Sequence, residues 1–353
     1  MKTFWRIKQS LPGVVGILIL MEFYMGMAPR IAKGSEQEPE PSPFSIKVNV
    51  DLVILNVTVM DEKEEVVTSL RRDDFIIYED DVKQDVADFL PVEIPFKLVL
   101  VIDTSISTRS SIRLIKKAAI HFTEQLRPAD RIAVIEISSS VKLAQDFTSD
   151  RRRLQRSIDD ITSSSSGGSK IYDGLAQAIH SLRQGEAGRH AVILLSDDME
   201  NSSRMGFPEL RRLLAQSDAV FYPVTIVNRQ NERDMLEDFI KNADQNNPDE
   251  VSTVENAKFS LSFLEEVYQI QTERLQSLTE ESGGRRFLVS DLGDLAEEYA
   301  KVAHELRNTM SLAYYSKNRT PDDNIRKIRV EVKKPGYRVR CRTSYSLPKD
   351  SVN

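Results

Sequence analysis

The chain has 353 residues, with 48 Lys and Arg against 54 Asp and Glu, a formal charge of −6. Its length exceeds one ordinary core at roughly 150 residues per domain. Hydrophobic residues at 40% and charged residues at 29% exclude wholesale disorder. The acidic balance argues against a nucleic-acid backbone as partner, since that binding relies on surplus Lys and Arg. A single cysteine, Cys341, excludes an internal disulfide and a cysteine-rich zinc site, and four histidines leave little material for a histidine-based one.

In chain order, Lys2, Arg6 and Lys8 precede an uncharged run over residues 10–21 that holds Val14, Val15, Ile17, Leu18, Ile19 and Leu20. A basic flank before a short apolar segment is the pattern of an export signal, and the run is shorter than the ~20 residues of a comfortable bilayer span. Residues 1–28 are therefore expected to be a signal peptide or an N-terminal anchor. The protein is expected to be exported (periplasmic, cell-envelope or secreted), touching a membrane only through an uncleaved anchor. Residues 29–43, with Glu36, Glu38, Glu40 and several prolines, read as a solvated linker.

Residues 44–94 carry β-branched, strand-like patterns, including Val48, Val50, Leu52, Ile54, Val57 and Val59. Short strands are expected near residues 65–70, 75–79 and 85–90. From 95 to 309 the texture changes to apolar runs alternating with helical periodicity, as for a parallel sheet covered on both faces. Ile112, Ile115, Ala119, Phe122 and Leu126 form one apolar helix stripe; Leu175, Ala178, Ile179 and Leu182 form another. Residues 228–258, polar and acidic, read as an insertion. Residues 310–347 return to strands. There Tyr337, Val339, Cys341 and Thr343 alternate with Arg338, Arg340 and Arg342, which predicts a buried thiol and a solvated arginine row.

Roughly four strands before the α/β zone and three after it are each too few for a good core. Together they predict a seven-stranded sandwich with the α/β domain inserted; two separate small sheets are the rival arrangement. The expected fold class is thus α/β, a Rossmann-like doubly wound, mainly parallel sheet inserted in or flanked by a β-sandwich-like domain.

The first α/β strand runs into Asp103-Thr104-Ser105-Ile106-Ser107. Open parallel sheets bind ligands beyond the carboxyl ends of their strands. One carboxylate and two hydroxyls at alternate positions suit a hard divalent cation. Two later segments supply further oxygens: a glycine-led loop, Gly167-Gly168-Ser169, and a buried strand ending in Ser196-Asp197. Strand-end Asp and Ser also cap helices, and Ser105 or Ser107 capping the helix that holds Ile112 is the plainer alternative.

Together these segments resemble the von Willebrand factor type A domain and its metal-ion-dependent adhesion site. The resemblance assigns Asp103, Ser105, Ser107, Ser169 and Asp197 as metal ligands, with Ser169 where the family has Thr and Asp198 where it commonly has Gly. Asp173 and Asp198 are expected behind the ligand oxygens. Segments of the flanks, Asn56-Val57-Thr58-Val59-Met60-Asp61 and Tyr314-Tyr315 among them, resemble a bacterial group abundant in acidobacteria that joins a type A domain to N- and C-terminal β segments.

What this resemblance implies is a non-enzymatic binding protein, whose Mg²⁺ (or Mn²⁺ or Ca²⁺) accepts an acidic side chain from a protein partner. A metal-independent envelope scaffold is the alternative. A serine hydrolase is disfavoured because no Gly-x-Ser-x-Gly elbow occurs and His190 lies at the far end of the strand that leads to Asp197. No catalytic residue is assigned.

Overall fold

The computed structural model describes residues 52–90, 95–125, 127–164, 168–183, 189–226, 237, 240–241, 248–289, 294–318, 320 and 324–347. The export segment, the linker, Leu126 and Gly167 lie outside the described residues. Strands β1 (Leu52–Met60), β2 (Phe75–Glu79), β3 (Val82–Gln84) and β4 (Val86–Leu90) come first. There follow β5 (Phe96–Asp103), α1 (Ile112–Gln125), β6 (Arg131–Ile137), β7 (Val141–Thr148), α2 (Arg151–Asp159), α3 (Ile171–Arg183) and β8 (Arg189–Ser196). Next are α4 (Phe207–Ala215), β9 (Val220–Ile226), α5 (Pro248–Ser282), β10 (Phe287–Val289) and α6 (Leu295–Asn308). The last strands are β11 (Met310–Tyr315), β12 (Arg326–Val332), β13 (Arg338–Arg340) and β14 (Ser344–Tyr345).

Six strands form the central sheet in the order β10-β9-β8-β5-β6-β7, parallel except for β7. Side chains alternate along β5, so its unbroken apolar run serves two cores. Leu98, Leu100 and Ile102 pack with Ile115, Ala119 and Phe122 of α1 and Tyr299 and Val302 of α6. Val99 and Val101 pack with Leu175, Ala178 and Ile179 of α3, Leu210 of α4 and Leu275 and Leu278 of α5. The chain passes from β5 to β6 on one side and later returns to β8 on the other. That reversal leaves a crevice at the carboxyl ends of β5 and β8.

The flanking strands make two four-stranded antiparallel sheets, β13-β1-β11-β4 and β14-β12-β2-β3. Each mixes strands from both ends of the chain: Val57 lies opposite Met310, and Ile77 opposite Val330. One core, including Leu55, Val57, Phe75, Ile77, Leu312, Tyr314 and Ile328, lies between them. This is the discontinuous sandwich, not two separate sheets. Asp80 and Asp81, both at positive φ, form the two-residue turn that joins β2 to β3.

Four expectations change. The described sandwich strands number eight rather than seven, because residues 337–345 do not form one strand. β13 pairs with β1 in one sheet and β14 with β12 in the other, so the chain crosses between sheets at Cys341-Arg342-Thr343 and period two breaks. The arginine row is therefore not uniformly solvated. Arg338 is exposed, whereas Arg340 pairs with Glu305 and Arg342 donates to the Ala215 carbonyl at 2.6 Å. Near residues 65–70 there is only a bridge between Met60 and Val66. Residues 248–258, expected in an insertion, are instead the first turns of α5.

The sandwich meets the α/β layer through directional bonds: Asn56 Nδ2 donates to the Asp218 carbonyl and Thr343 N to that of Glu281, both at 3.1 Å. Gly283 sits at this seam at φ +79°, and a Cβ there would lie 2.3 Å from the Cys341 backbone carbon. Only glycine meets both demands.

Candidate metal centre

Asp103 ends β5, paired through Ile102 with Leu195 of β8, and is fully buried. Its Oδ1 accepts the Ser105 backbone N–H at 2.9 Å. Its Oδ2 accepts the hydroxyls of Ser169 at 3.0 Å and Ser196 at 2.8 Å. Ser105 Oγ and Ser107 Oγ lie 3.0 Å apart across the short 3-10 turn Ile106–Thr108. Thr108 pins that turn by donating to the carbonyls of Asp103 and Ser105, both at 3.0 Å. The Ser105 side chain makes no capping bond to the 3-10 turn it opens, and the first N–H groups of α1 bond to the carbonyl of Ser111, at 2.9 and 3.0 Å, rather than to Ser105 or Ser107.

Ser169 reaches Asp103 because Gly168, at φ +104°, turns the loop beneath Ser202, whose Oγ would lie 2.4 Å from an added Cβ. The loop after β8 holds it there: Asn201 Oδ1 accepts the Ser169 N–H at 2.8 Å, and Glu200 Oε2 accepts the Tyr172 N–H at 2.9 Å.

The structure thus brings Asp103, Ser105, Ser107 and Ser169 together. Asp197 follows β8, is half-buried, and accepts the Met199 N–H at 3.3 Å. Burial first, and then the nearby charge of Asp197, push the Asp103 carboxyl up to about 6.

The two other acidic residues bond to groups other than the Asp103 carboxylate. Asp173, in the first turn of α3, accepts the backbone N–H groups of Arg204 and Met205 at 3.0–3.1 Å, with Lys170 at 3.7 Å. Asp198 is buried against Arg286 and Thr225. Among the described residues, no Lys, Arg or His nitrogen pairs with Asp103.

Sequence reasoning missed Ser196, Thr108, Asn201 and Glu200. Ser196 carried one faint signal, a hydroxyl closing an otherwise apolar run of buried strand. The others are contacts between loops distant in sequence and have no local pattern. His190 is buried and bonded to Asp218 at 2.6 Å at the start of β8, about 20 Å of strand from Ser196. That makes it a structural histidine.

The donor set fits a divalent cation. It consists of carboxylate and hydroxyl oxygens without thiolate or imidazole, around a buried carboxylate that no described residue neutralises.

Residues 97–270 match the family model of the von Willebrand factor type A domain. The chain contains a type A domain. The sheet extends past the match, since β10 and α6 lie beyond residue 270. Solved structures are similar to this chain at low identity. A von Willebrand factor type A protein from Catenulispora acidiphila is 11% identical, with 86% of this chain and 75% of that one covered and a TM-score of 0.41. Proximal thread matrix protein 1 from the mussel byssus is 16% identical, with 64% and 50% covered and a TM-score of 0.44. The vWF domain of the type V pili tip protein Mfa5 from Porphyromonas gingivalis is 25% identical, with 32% and 40% covered and a TM-score of 0.28. The chain thus spans half the length of the mussel protein and less than half of the pilus protein's chain. No curated protein matches. The assignment of the type A domain rests on the family match.

Proposed function

We propose that this protein is an exported, non-enzymatic adhesion or assembly module that binds a protein partner through a divalent cation, Mg²⁺ before Mn²⁺ or Ca²⁺. The observation that carries this reading is the Asp103 carboxylate, fully buried, bonded by two serine hydroxyls and, among the described residues, without a cationic partner. Burying a charge is costly unless it is paired, and an external cation would supply the pairing. Asp103, Ser105, Ser107, Ser169 and Asp197 would hold it. When bound, the ion supplies an exposed Lewis-acid position suited to a partner's Asp or Glu carboxylate.

Export is read from Lys2, Arg6 and Lys8 before the apolar run. The finer kinship, with the acidobacterial type of protein that flanks a type A domain with β segments, is supported by the way both chain ends build the sandwich. A non-enzymatic role is supported by the separation of His190 from the serines: a nucleophilic serine needs an adjacent base.

Isothermal titration of Mg²⁺ into the purified protein tests the reading directly. Saturable binding that is abolished in Asp103→Ala, with partner capture from envelope extract lost in chelator, is the expected result. Partner capture indifferent to chelator, together with no Mg²⁺ heat, would overturn it in favour of a metal-independent scaffold.

A further inference from the structure

Beside the metal centre lies a second buried carboxylate with a very different environment. Asp198 is 1% exposed and adopts φ +68°, a left-handed conformation that a non-glycine residue holds only at a cost. Its carboxylate is paired with the guanidinium of Arg286, itself 10% exposed, from the segment between α5 and β10. Thr225, in β9, donates to both carboxylate oxygens at 2.9 and 3.0 Å and accepts from Arg286 Nε at 3.0 Å. The Asp198 backbone N–H donates to Ser196 Oγ at 3.0 Å, and that hydroxyl donates to Asp103 Oδ2. The pair is therefore one hydroxyl removed from the ligand carboxylate, and Asp198 adjoins Asp197 in sequence.

Glycine would take this turn without strain. An aspartate there adds a negative charge that, among the described residues, Arg286 alone offsets. Among the described residues, three carboxylates, Asp103, Asp197 and Asp198, stand against the Arg286 guanidinium, so two remain to meet a divalent ion.

We infer that Arg286 is the fixed counter-charge of the metal centre: by neutralising Asp198 it leaves Asp103 and Asp197 to face the ion, and so sets the affinity of the site. Arg286 is a positioning residue, acting through Asp198 and touching no ligand of the ion. The inference rests on the cation reading above.

The test is Mg²⁺ affinity by isothermal titration of the full chain at low salt, with Mg²⁺ alone as the probe. Asp198→Asn keeps the shape and tolerates the left-handed turn, but leaves Arg286 unopposed; Mg²⁺ binding should weaken about tenfold. Arg286→Met leaves Asp198 unopposed and should tighten binding about tenfold. The double variant Asp198→Asn/Arg286→Met should return to within about threefold of the wild type.

Opposed signs in the single variants, cancelled in the double, are a signature that a purely structural role cannot produce. Weakening in both single variants, or no change in either, would overturn the inference. If Arg286→Met does not fold, the other two variants decide it. A double variant no tighter than Asp198→Asn overturns the inference, and a restored one supports it. Absence of Mg²⁺ binding in the wild type would instead sink the cation reading itself, and the inference with it.

Discussion

Glu79 in the sandwich and Asp103 at the end of β5 are both buried carboxylates, yet the chain treats them differently. Glu79 accepts Tyr314 Oη at 2.8 Å, Tyr345 Oη at 3.0 Å and Ser316 Oγ at 2.7 Å, and Arg326 Nη1 stands 3.4 Å away. Arg326 in turn donates to the carbonyls of Asn318 and Thr320 at 3.0 and 2.7 Å. Asp103 has two serine hydroxyls and a backbone N–H but, among the described residues, no guanidinium or ammonium. A carboxylate neutralised from within holds a fold together. One left with hydrogen bonds alone is where the proposed cation would supply the countercharge.

The contrast breaks most visibly at Arg326. Arg326→Met leaves Glu79 buried without its cation, and denaturant unfolding should show a loss of about 3–5 kcal/mol. Mg²⁺ titration of any folded fraction should be unchanged, because the sandwich network is separate from the metal centre.

At Asp103 the sign reverses. Its carboxyl is raised from 3.8 to about 6 in the folded, metal-free chain, so the native state holds the proton to higher pH than the unfolded state. The stability this group contributes is complete below pH ~4 and is lost as pH rises through ~6. In chelator at pH 7, Asp103→Asn should therefore stabilise the protein, by at most about 3 kcal/mol. The gain should shrink to nothing as the pH falls from 6 to 4, and Mg²⁺ binding should be abolished. Thermal melts of both proteins across that range provide the check, and a destabilised Asp103→Asn at pH 7 would refute the unpaired-charge reading.

The smallest effect sharpens the other side. Tyr345→Phe removes one hydroxyl from the Glu79 network while leaving Arg326 in place, and should cost about 1 kcal/mol in denaturant unfolding. A loss as large as that of Arg326→Met would mean that the phenols, rather than the guanidinium, carry the Glu79 charge.

Much of the site was legible because strand order and side-chain period are local properties. The β5 apolar run, ending in Asp103 and followed by hydroxyls at alternate positions, points to a loop at the crevice of a parallel sheet. The glycine before Ser169 marks the tight turn that aims it. Arg286 gave no sign of its pairing, since the second of two adjacent arginines, Arg285-Arg286, is indistinguishable from any surface cation until β9 and β10 bring it against Asp198. Arg342 misled for the same reason: alternation held along the sequence but not through the crossing from one sheet to the other.

The sequence by itself determined the layers, because burial on both faces requires continuous apolar strands, and one-sided burial requires alternation. It also marked most of the oxygens of the candidate site, because the hydroxyls and carboxylates that follow buried strands can be read locally. Only the tertiary structure decided which buried carboxylates have partners. That depends on distances between residues more than a hundred positions apart, such as Glu79 and Arg326, or eighty-eight apart, as Asp198 and Arg286 are. No local pattern encodes those separations; the packing of the sheets sets them.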